Sequence, residues 1–445
     1  MRRIPRALTR RTLLAQLSVG ATCLLSSCAR GPLRLGRPSA PPTIRVGLFT
    51  SDYANSMATT RLLQPLLSLA KSPPPGADFT IELGTIPPLP TPTPPPGLAG
   101  TRPELNELAR VLAAGPSSAA PPPDVVLMIT VDDAVYAGAK GLVRPLDPYF
   151  QSSATAKRED FYPAALAAVT AQGHTWGMPL ALSPLVLVYD PDVFADAGVI
   201  PPTTSWSWEE FVDACSKLTK PAAKRYALFP VDYLASYVYL GGGSVLTGDG
   251  RRSALTEPGA LAGVGYYQEL AQQLKVVVPQ GPCSQGPPLT CGGNRVACLL
   301  GTISSNGPEM GSRTLRYAPP VHGDGGPRPA ATVTYVLTVT SAARDPERAF
   351  AAAAAIADAA QPALVMPTRR RLAQQQPAER MQVGEDARQV LLAAAETARA
   401  EPLDLDMLSA LRDQQRALLQ GTKVALQACK DGAAAIDRIL SERYT

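Results

Sequence analysis

Two histidines, His174 and His322, are the entire imidazole supply of the 445-residue chain. Neither lies in an HExxH or His-rich spacing, so those zinc sites are excluded. A hydrolase would need a serine beside one of them plus an aspartate. No G-x-S-x-G elbow is present to present that serine. There is also no glycine-rich phosphate cradle and no metal-ligand spacing, so no cofactor, no metal and no catalytic residue is expected. What the sequence does offer is hydrogen-bonding groups at the ends of apolar runs. Asp52 and Tyr53 follow Ile44–Phe49, and Asp132 and Asp133 follow Asp124–Ile129 where a helix begins. Such groups can hold a polar solute, and the second pair can equally cap the helix.

The cysteines point to an oxidising compartment. Beyond Cys23 and Cys28 there are five: Cys215, Cys283, Cys291, Cys298 and Cys429. The odd count leaves at least one thiol unpaired in a monomer, which is the state expected. Cys283 and Cys291 flank a turn-rich SQGPPLT and are the first candidates for a local disulfide. Cys298, in VACLL, reads as a buried thiol. Without a CxxC pair, neither redox catalysis nor a zinc ribbon is indicated.

The elements that would position these groups alternate. Ile44–Phe49, Thr80–Leu83, Asp124–Ile129, Leu182–Tyr189 and Thr332–Thr340 read as strands. Between them, 57–70, 104–114 and 134–141 read as helices, with Pro65 placed to kink the first. This alternation predicts βαβ units and a largely parallel sheet. Ser207 and Glu210 form a capping box, with Trp206 and Phe211 as its hydrophobic staple. Asp345-Pro346-Glu347 starts another helix with a cap, a first-turn proline and an acid suited to the helix dipole. The last ~60 residues read as helical, and PPLPTPTPPPG at 87–97 can only be polyproline or loop.

The N-terminus reads as an address. Residues 1–27 join a basic stretch to an apolar one too short for the ~20 residues of a membrane-spanning helix. Thr9–Leu14 resembles a twin-arginine export motif. Leu25-Ser26-Ser27-Cys28 resembles a lipobox, which would acylate Cys28 and tether the chain to a membrane surface through residues 28–43. An ordinary signal followed by an incidental cysteine is the alternative. Five arginines and no acids precede Cys28, so the +5 net charge belongs to the leader and the body balances 37 against 37. A neutral body offers no basic stripe, so nucleic acid is not an expected partner.

Several strings, in order, resemble the extracellular solute-binding proteins of ATP-driven importers, of the carbohydrate-type, maltose-binding-protein-like family. Gly177-Met178-Pro179 through Tyr189-Asp190-Pro191 to Ala197-Gly198 is similar to the family's G-x-P … Y-N-x-x-x-F-x-x-A-G pattern, with Asp190 where asparagine is usual. Thr204–Leu218 is similar to T-W-x-E-F … A-x-x-L. Gly242-Gly243, Gly293–Cys298, Tyr317–Gly326 and Pro367-Thr368-Arg369 follow in the family's order.

The resemblance implies an α/β, two-lobe periplasmic-binding-protein-like (type II) fold with a hinge between discontinuous lobes. One lobe would be 44–182 with 321–360, the other 183–320 with 361–445. It further implies a small polar solute, a sugar foremost, as ligand, ABC permease subunits as partners, and no enzymatic step. It adds Trp176, Asp232, Tyr233 and Asn306 to the candidate ligand contacts. A ligand sensor without transport is the alternative within the same fold, and a secreted hydrolase using a serine near His174 or His322 is the alternative from a different class.

Overall fold

The computed structural model describes residues 41–49, 57–86, 103–115, 121–229, 233–279, 283–284, 289–302, 315–323, 326–364, 366–381 and 383–444. The expected leader 1–27, most of the tether and the 87–97 proline tract lie outside the described residues.

Among the described residues, eight strands carry the sheet: β1 (Thr43–Phe49), β2 (Thr80–Ile86), β3 (Val125–Thr130), β4 (Met178–Tyr189), β5 (Arg225–Leu228), β6 (Asn294–Thr302), β7 (Arg316–Ala318) and β8 (Ala331–Val339). Two short strands, Cys283–Ser284 and Thr290–Cys291, complete it. The path runs β2-β1-β3-β8-β4-β6 and on through the two short strands, with β7 pairing β4 and β5 pairing β6. β1 is parallel to both β2 and β3, and β5 is parallel to β6. Those parallel pairs are the expected βαβ signature. The expectation of a largely parallel sheet is nevertheless overturned: β8 runs antiparallel to β3 and to β4, and β4 antiparallel to β6 and β7, because the strands that cross between the halves enter the sheet against the βαβ strands. Thr43, the last residue assigned to the tether, is already in β1, paired with Thr80.

The helices are α1 (Met57–Lys71), α2 (Pro103–Ala114), α3 (Val131–Ala139), α4 (Pro163–Ala168), α5 (Pro191–Ala197), α6 (Trp208–Leu218), α7 (Leu234–Leu240), α8 (Pro258–Gln268), α9 (Pro346–Ala360), α10 (Glu385–Thr397), α11 (Leu405–Leu419) and α12 (Ala425–Tyr444). α1 runs through Pro65 without ending. α6 carries the expected capping box, Ser207 accepting from Glu210 N at 3.2 Å while Ser207 N donates to Glu210 Oε2 at 2.8 Å. Trp206 stacks on Phe194 and packs against the core beneath. Asp190 caps α5, accepting from the Asp192 amide at 3.0 Å, a task an acid performs as well as the asparagine it replaces. Asp345 caps α9 through the Arg348 amide, also at 3.0 Å.

Two element boundaries also needed correction. α3 begins at Val131 rather than Ala134, because β3 ends at Thr130 and that residue itself takes the N-cap position. β4 starts four residues before Leu182, running through Pro179 and Pro184. Proline is normally kept out of central strands because it lacks an N–H. At Pro184 the strand is changing partners, so a missing donor is tolerated there.

β4 is the spine of the molecule. Its first part, Met178 to Pro184, pairs antiparallel with Leu337 to Ala331 of β8. Its second part, Leu185 to Tyr189, pairs with Thr302 to Cys298 of β6, and its last three residues also pair with β7. One apolar cluster unites β1, β3, β8, α1 and α9, and another packs α2 and α3 on the opposite face of that half-sheet. A third gathers α5 to α8, α11 and α12 around Leu185 and Leu187. A fourth, with α4 and α10, lies under the middle of β4 and β8 and joins the halves from behind.

α7 and α8 cross at backbone distance. A Cβ on Gly263 would stand 2.0 Å from the Tyr237 carbonyl oxygen, whereas one on Gly265 would meet nothing within 4 Å. Gly263→Ala is therefore expected to destabilise by about 1–3 kcal/mol. Gly265→Ala should stabilise by about 0.5–1 kcal/mol through helix propensity. Thermal unfolding of the two variants checks the pair; equal effects would contradict this packing.

Candidate functional site

The register fixes where a cleft must lie. β3 ends at Thr130, opposite Thr334 of β8, which in turn faces Ala181 of β4. β6 ends at Thr302, opposite Leu185 of β4. The parallel strands of both halves thus terminate at the same short section of β4, residues 181–185. At about 3.3 Å per residue the two ends are separated by roughly 13 Å along that strand. Ligands of open α/β sheets bind at such carboxyl ends.

The floor of this gap is built from hydroxyls. On β8, Ala331, Val333 and Tyr335 turn into the apolar layer behind, while Thr332 and Thr334 stay half-exposed. Half-buried Ser183 faces Thr332 across the ladder, and half-buried Thr130 faces Thr334. The backbone at Tyr335 has φ +58°, a left-handed conformation that costs a bulky residue about 1–3 kcal/mol. That strain lies one residue from the floor.

Asp133 stands at the first-half wall, 8% exposed, accepting from Thr130 Oγ1 at 2.6 Å. It ties the strand end to the helix start. Asp132 lies beside it in the first turn of α3, where only its backbone is described. Trp176 is placed elsewhere: its ring lies on Gly138 of α3, where a Cβ would come within 2.2 Å, and its Nε1 donates to the Ala171 carbonyl. It precedes β4, five residues before the floor begins. Asp52, Tyr53, Asp232, Asn306 and Cys28 lie outside the described residues.

Tyr233 occupies the N-cap position of α7, on the second-half wall, and burial pushes its phenol well up, the Glu401 carboxylate adding to the shift. Glu401 and Arg399 carry no motif and were not expected. The Glu401 carboxylate accepts from Val245 N at 3.1 Å and Leu246 N at 2.7 Å. Arg399 donates to the Gly243 carbonyl oxygen and to Ser244 Oγ, with its guanidinium 5.5 Å from the Tyr239 ring centre. The Arg399 carbonyl accepts from Ala331 N at 2.8 Å, which places the cluster one residue from Thr332. The only available signal was a charged pair, Arg399 and Glu401, in a short break between two helical periods. Here Gly242, at φ +78°, turns the chain toward Glu401; no strand follows the glycine pair, only a single bridge from Leu246 to Ser253.

The two halves also touch directly. Arg443, in the last turn of α12, lies 4.8 Å from the ring centre of Tyr136 on α3 and pairs with Asp404, the N-cap of α11. Burial raises the Tyr136 phenol, against the pull of Arg443.

Neither histidine meets a serine hydroxyl among the described residues. His174 lies 4.0 Å from the Asp147 carboxylate, and His322 Nδ1 is 2.9 Å from the Gly323 carbonyl oxygen. Cys291 is disulfide-bonded, and its cross-strand partner in the ladder is Cys283. A groove of about 670 Å³ lined by Pro221, Tyr226, Lys275 and Leu419 includes none of the floor residues.

This geometry, two α/β halves joined by crossing strands with a polar floor between them, defines the two-lobe, type II binding-protein fold. Residues 104–286 match the family of bacterial extracellular solute-binding proteins. The recognised strings and the fold therefore agree. A binding protein of Brucella abortus (strain 2308) and one of Brucella suis biovar 1 (strain 1330) are each 27% identical over 140 residues, 29% of this chain. The chain thus spans about a third, 32%, of the length of these curated relatives. Among solved structures, the sugar-binding protein MalE of Xanthomonas citri superposes with TM-score 0.64 at 15% identity, covering 90% of this chain and 98% of that one. The cyclic α-maltosyl-1,6-maltose binding protein of Arthrobacter globiformis gives 0.63 at 15%, covering 90% and 99%. The substrate-binding protein Lmo0181 of Listeria monocytogenes, solved with cycloalternan, gives 0.59 at 16%, again covering 90% and 99%. These similar proteins are binding proteins, and at such identity the likeness establishes the fold.

Two outcomes follow from the wall. Removing Arg443 leaves Asp404, 1% exposed, without its cation. Arg443→Met is expected to cost about 3–5 kcal/mol in a urea titration. At Glu401, burial raises the carboxyl pKa above its ordinary 4.5, outweighing the amide hydrogen bonds. The folded state therefore holds that proton to higher pH than the unfolded chain. The group's contribution is complete below pH 4.5 and falls as pH rises through the raised value. Glu401→Gln should gain stability relative to the parent between pH 5 and pH 8; a pH-independent difference would contradict the assignment.

Proposed function

We propose that this chain is the exported receptor of an ABC importer, capturing a carbohydrate or similar polar solute by hinge closure and handing it, unreacted, to a permease. The observation that carries the reading is the convergence of parallel strand ends from both halves on one hydroxyl-lined section of β4 and β8. A sugar presents hydroxyls that alternately donate and accept, as do Ser183, Thr130, Thr332 and Thr334. The solved neighbours' sugar ligands support the same class.

The lobes in this reading are 44–182 with 321–360, and 183–320 with 361–445. β4 and the segment from β7 to β8 cross between them, and the contact of Leu182 N with the Met366 carbonyl oxygen marks a third crossing. Each wall contributes part of the ligand's hydrogen bonds, so full affinity exists only in the closed form, and ligand binding drives closure. Asp52, Tyr53, Asp132, Asp133, Asp232, Tyr233 and Asn306 are proposed ligand contacts, and Trp176 a packing residue near the edge of the floor. Acylated Cys28 would hold the receptor, as a monomer, at the outer membrane face, with Cys283–Cys291 as its local disulfide.

A thermal-shift screen of sugars and polyols tests the reading. A solute at 100 times its Kd stabilises by about 2.7 kcal/mol, which for a chain of this size raises Tm by several degrees. Solution scattering with that solute should show a smaller radius of gyration. Thr334→Val should weaken its binding by about 0.5–1.5 kcal/mol, the worth of one hydrogen bond. No shift with any sugar or polyol would overturn the carbohydrate class. Conversion of the bound solute into product would overturn the receptor role.

A further inference from the structure

The floor continues past its hydroxyls on the second-half side. Thr332 pairs with Ser183, and further along the same ladder Leu185 N donates to the Ala330 carbonyl oxygen at 2.7 Å. Strand alternation therefore puts Leu185 and Ala330 on the face that carries Ser183, Thr332 and Thr334. Both line a small cavity of about 30 Å³, which Ser236 and Leu240 of α7, Val321 and Arg328 enclose from the other sides. That is room for about two water-sized groups.

Two polar side chains serve this cavity. Ser236 and Leu240 are four positions apart on α7 and so share one helix face. A serine inside a helix ordinarily returns its hydroxyl to a carbonyl of the preceding turn. Ser236 Oγ is instead buried without a hydrogen-bond partner among the described residues. Arg328 is exposed, and it takes part in no ion pair or hydrogen bond among the described residues. Its backbone is held in place. Pro327 and Pro329 flank it, the Pro329 carbonyl accepts from Arg399 N at 2.8 Å, and Ala331 N donates to the Arg399 carbonyl at 2.8 Å. The Arg399 guanidinium is already engaged with Gly243 and Ser244, whereas that of Arg328 is free to meet a solute. No acidic residue lines the cavity.

We propose that this cavity is the subsite for a carboxylate carried by the solute, so that the preferred ligand is a sugar acid and not a neutral sugar. The inference rests on the receptor reading above and names the substrate class of the same cleft. A carboxylate has two oxygens, which is what the space admits. The planar guanidinium of Arg328 can bond to both, and the Ser236 hydroxyl can donate to one of them. Leu185, Leu240 and Val321 keep the surroundings apolar, where such a charge-assisted pair is stronger than in water. A phosphate has more oxygens than the cavity seats. The hydroxymethyl group of a neutral sugar would satisfy Ser236 and leave the charge of Arg328 unanswered.

The purified full chain is titrated by thermal shift and calorimetry with matched pairs: glucose and glucuronate, galactose and galacturonate, maltose and maltobionate. Glucose 6-phosphate is a further probe. At least one acid is expected to bind about 10–100-fold more tightly than its neutral partner, the worth of hydrogen bonds to a charged group. Arg328→Gln should remove that advantage and leave the affinity for the neutral sugar unchanged, and Arg328→Lys should restore part of it. Ser236→Ala should weaken the acid by about 3–10-fold. Because Arg328 has no partner in the free protein, the unliganded Tm of Arg328→Gln should match that of the parent, which separates lost binding from lost folding. Neutral sugars binding as tightly as their acids, or an advantage that survives Arg328→Gln, would overturn the subsite and leave the receptor reading standing. An Arg328-dependent preference for glucose 6-phosphate over every acid would overturn the carboxylate. Binding of no member of any pair would overturn the subsite and the carbohydrate class together.

Discussion

One strand hydrogen-bonded to different partners along its length makes everything else possible. β4 pairs with β8 up to Pro184 and with β6 from Leu185 onward. Because the ladder is continuous, the two half-sheets cannot separate. Because its partners change, each half keeps its own ladder on either side of that exchange. Pro184 sits where a backbone donor matters least, so the exchange of partners leaves no N–H stranded. A hinge built this way is a consequence of topology and does not require a flexible loop.

The same arrangement decides what faces the gap. A strand shows alternate residues to opposite sides. Once Ala331, Val333 and Tyr335 are committed to the layer under α4, α9 and α10, Thr332 and Thr334 must look the other way. The rear layer is apolar and shared by both halves, whereas the front is polar and divided between them. Burial behind and hydroxyls in front come from one nine-residue sequence, ATVTYVLTV.

Much of the fold was legible because it rests on local chemistry. The capping box at Ser207 and Glu210, the cap and proline at Asp345 and Pro346, and the apolar runs of β1, β3 and β8 each announce themselves within a few residues. The start of β4 did not, because Pro179 argues locally against a strand and only its ladder with β8 overrules that. Similarly, Thr130 lies just past the run read as a strand, Asp124–Ile129, and turns out to be both the last residue of β3 and the N-cap of the next helix. The site was far less legible. Glu401 and Arg399 reach the wall through contacts with Val245, Leu246 and Gly243 about 155 positions away in sequence, and no spacing within the chain encodes such a meeting. Thr332 and Thr334 were visible as strand residues, but their role depends on which face the rest of the molecule covers.

A strained residue lies next to the floor. Tyr335 holds φ +58° inside a strand, a conformation that tyrosine rarely adopts, and its side chain is 2% exposed in the apolar layer behind. Strain of that kind persists only where packing over-determines it. Here the packing is supplied by the first half, since Leu180, Leu337 and Phe350 belong to the same cluster. The strained residue is therefore clamped on one side of the partner exchange, while the second half, with Arg399 bound to Ala331, grips β8 four residues earlier. On β8, rotation of one half against the other falls on residues 331 to 335, between those two grips. That stretch holds the floor hydroxyls, so the groups that would meet a solute are the same groups that relative motion of the halves would displace.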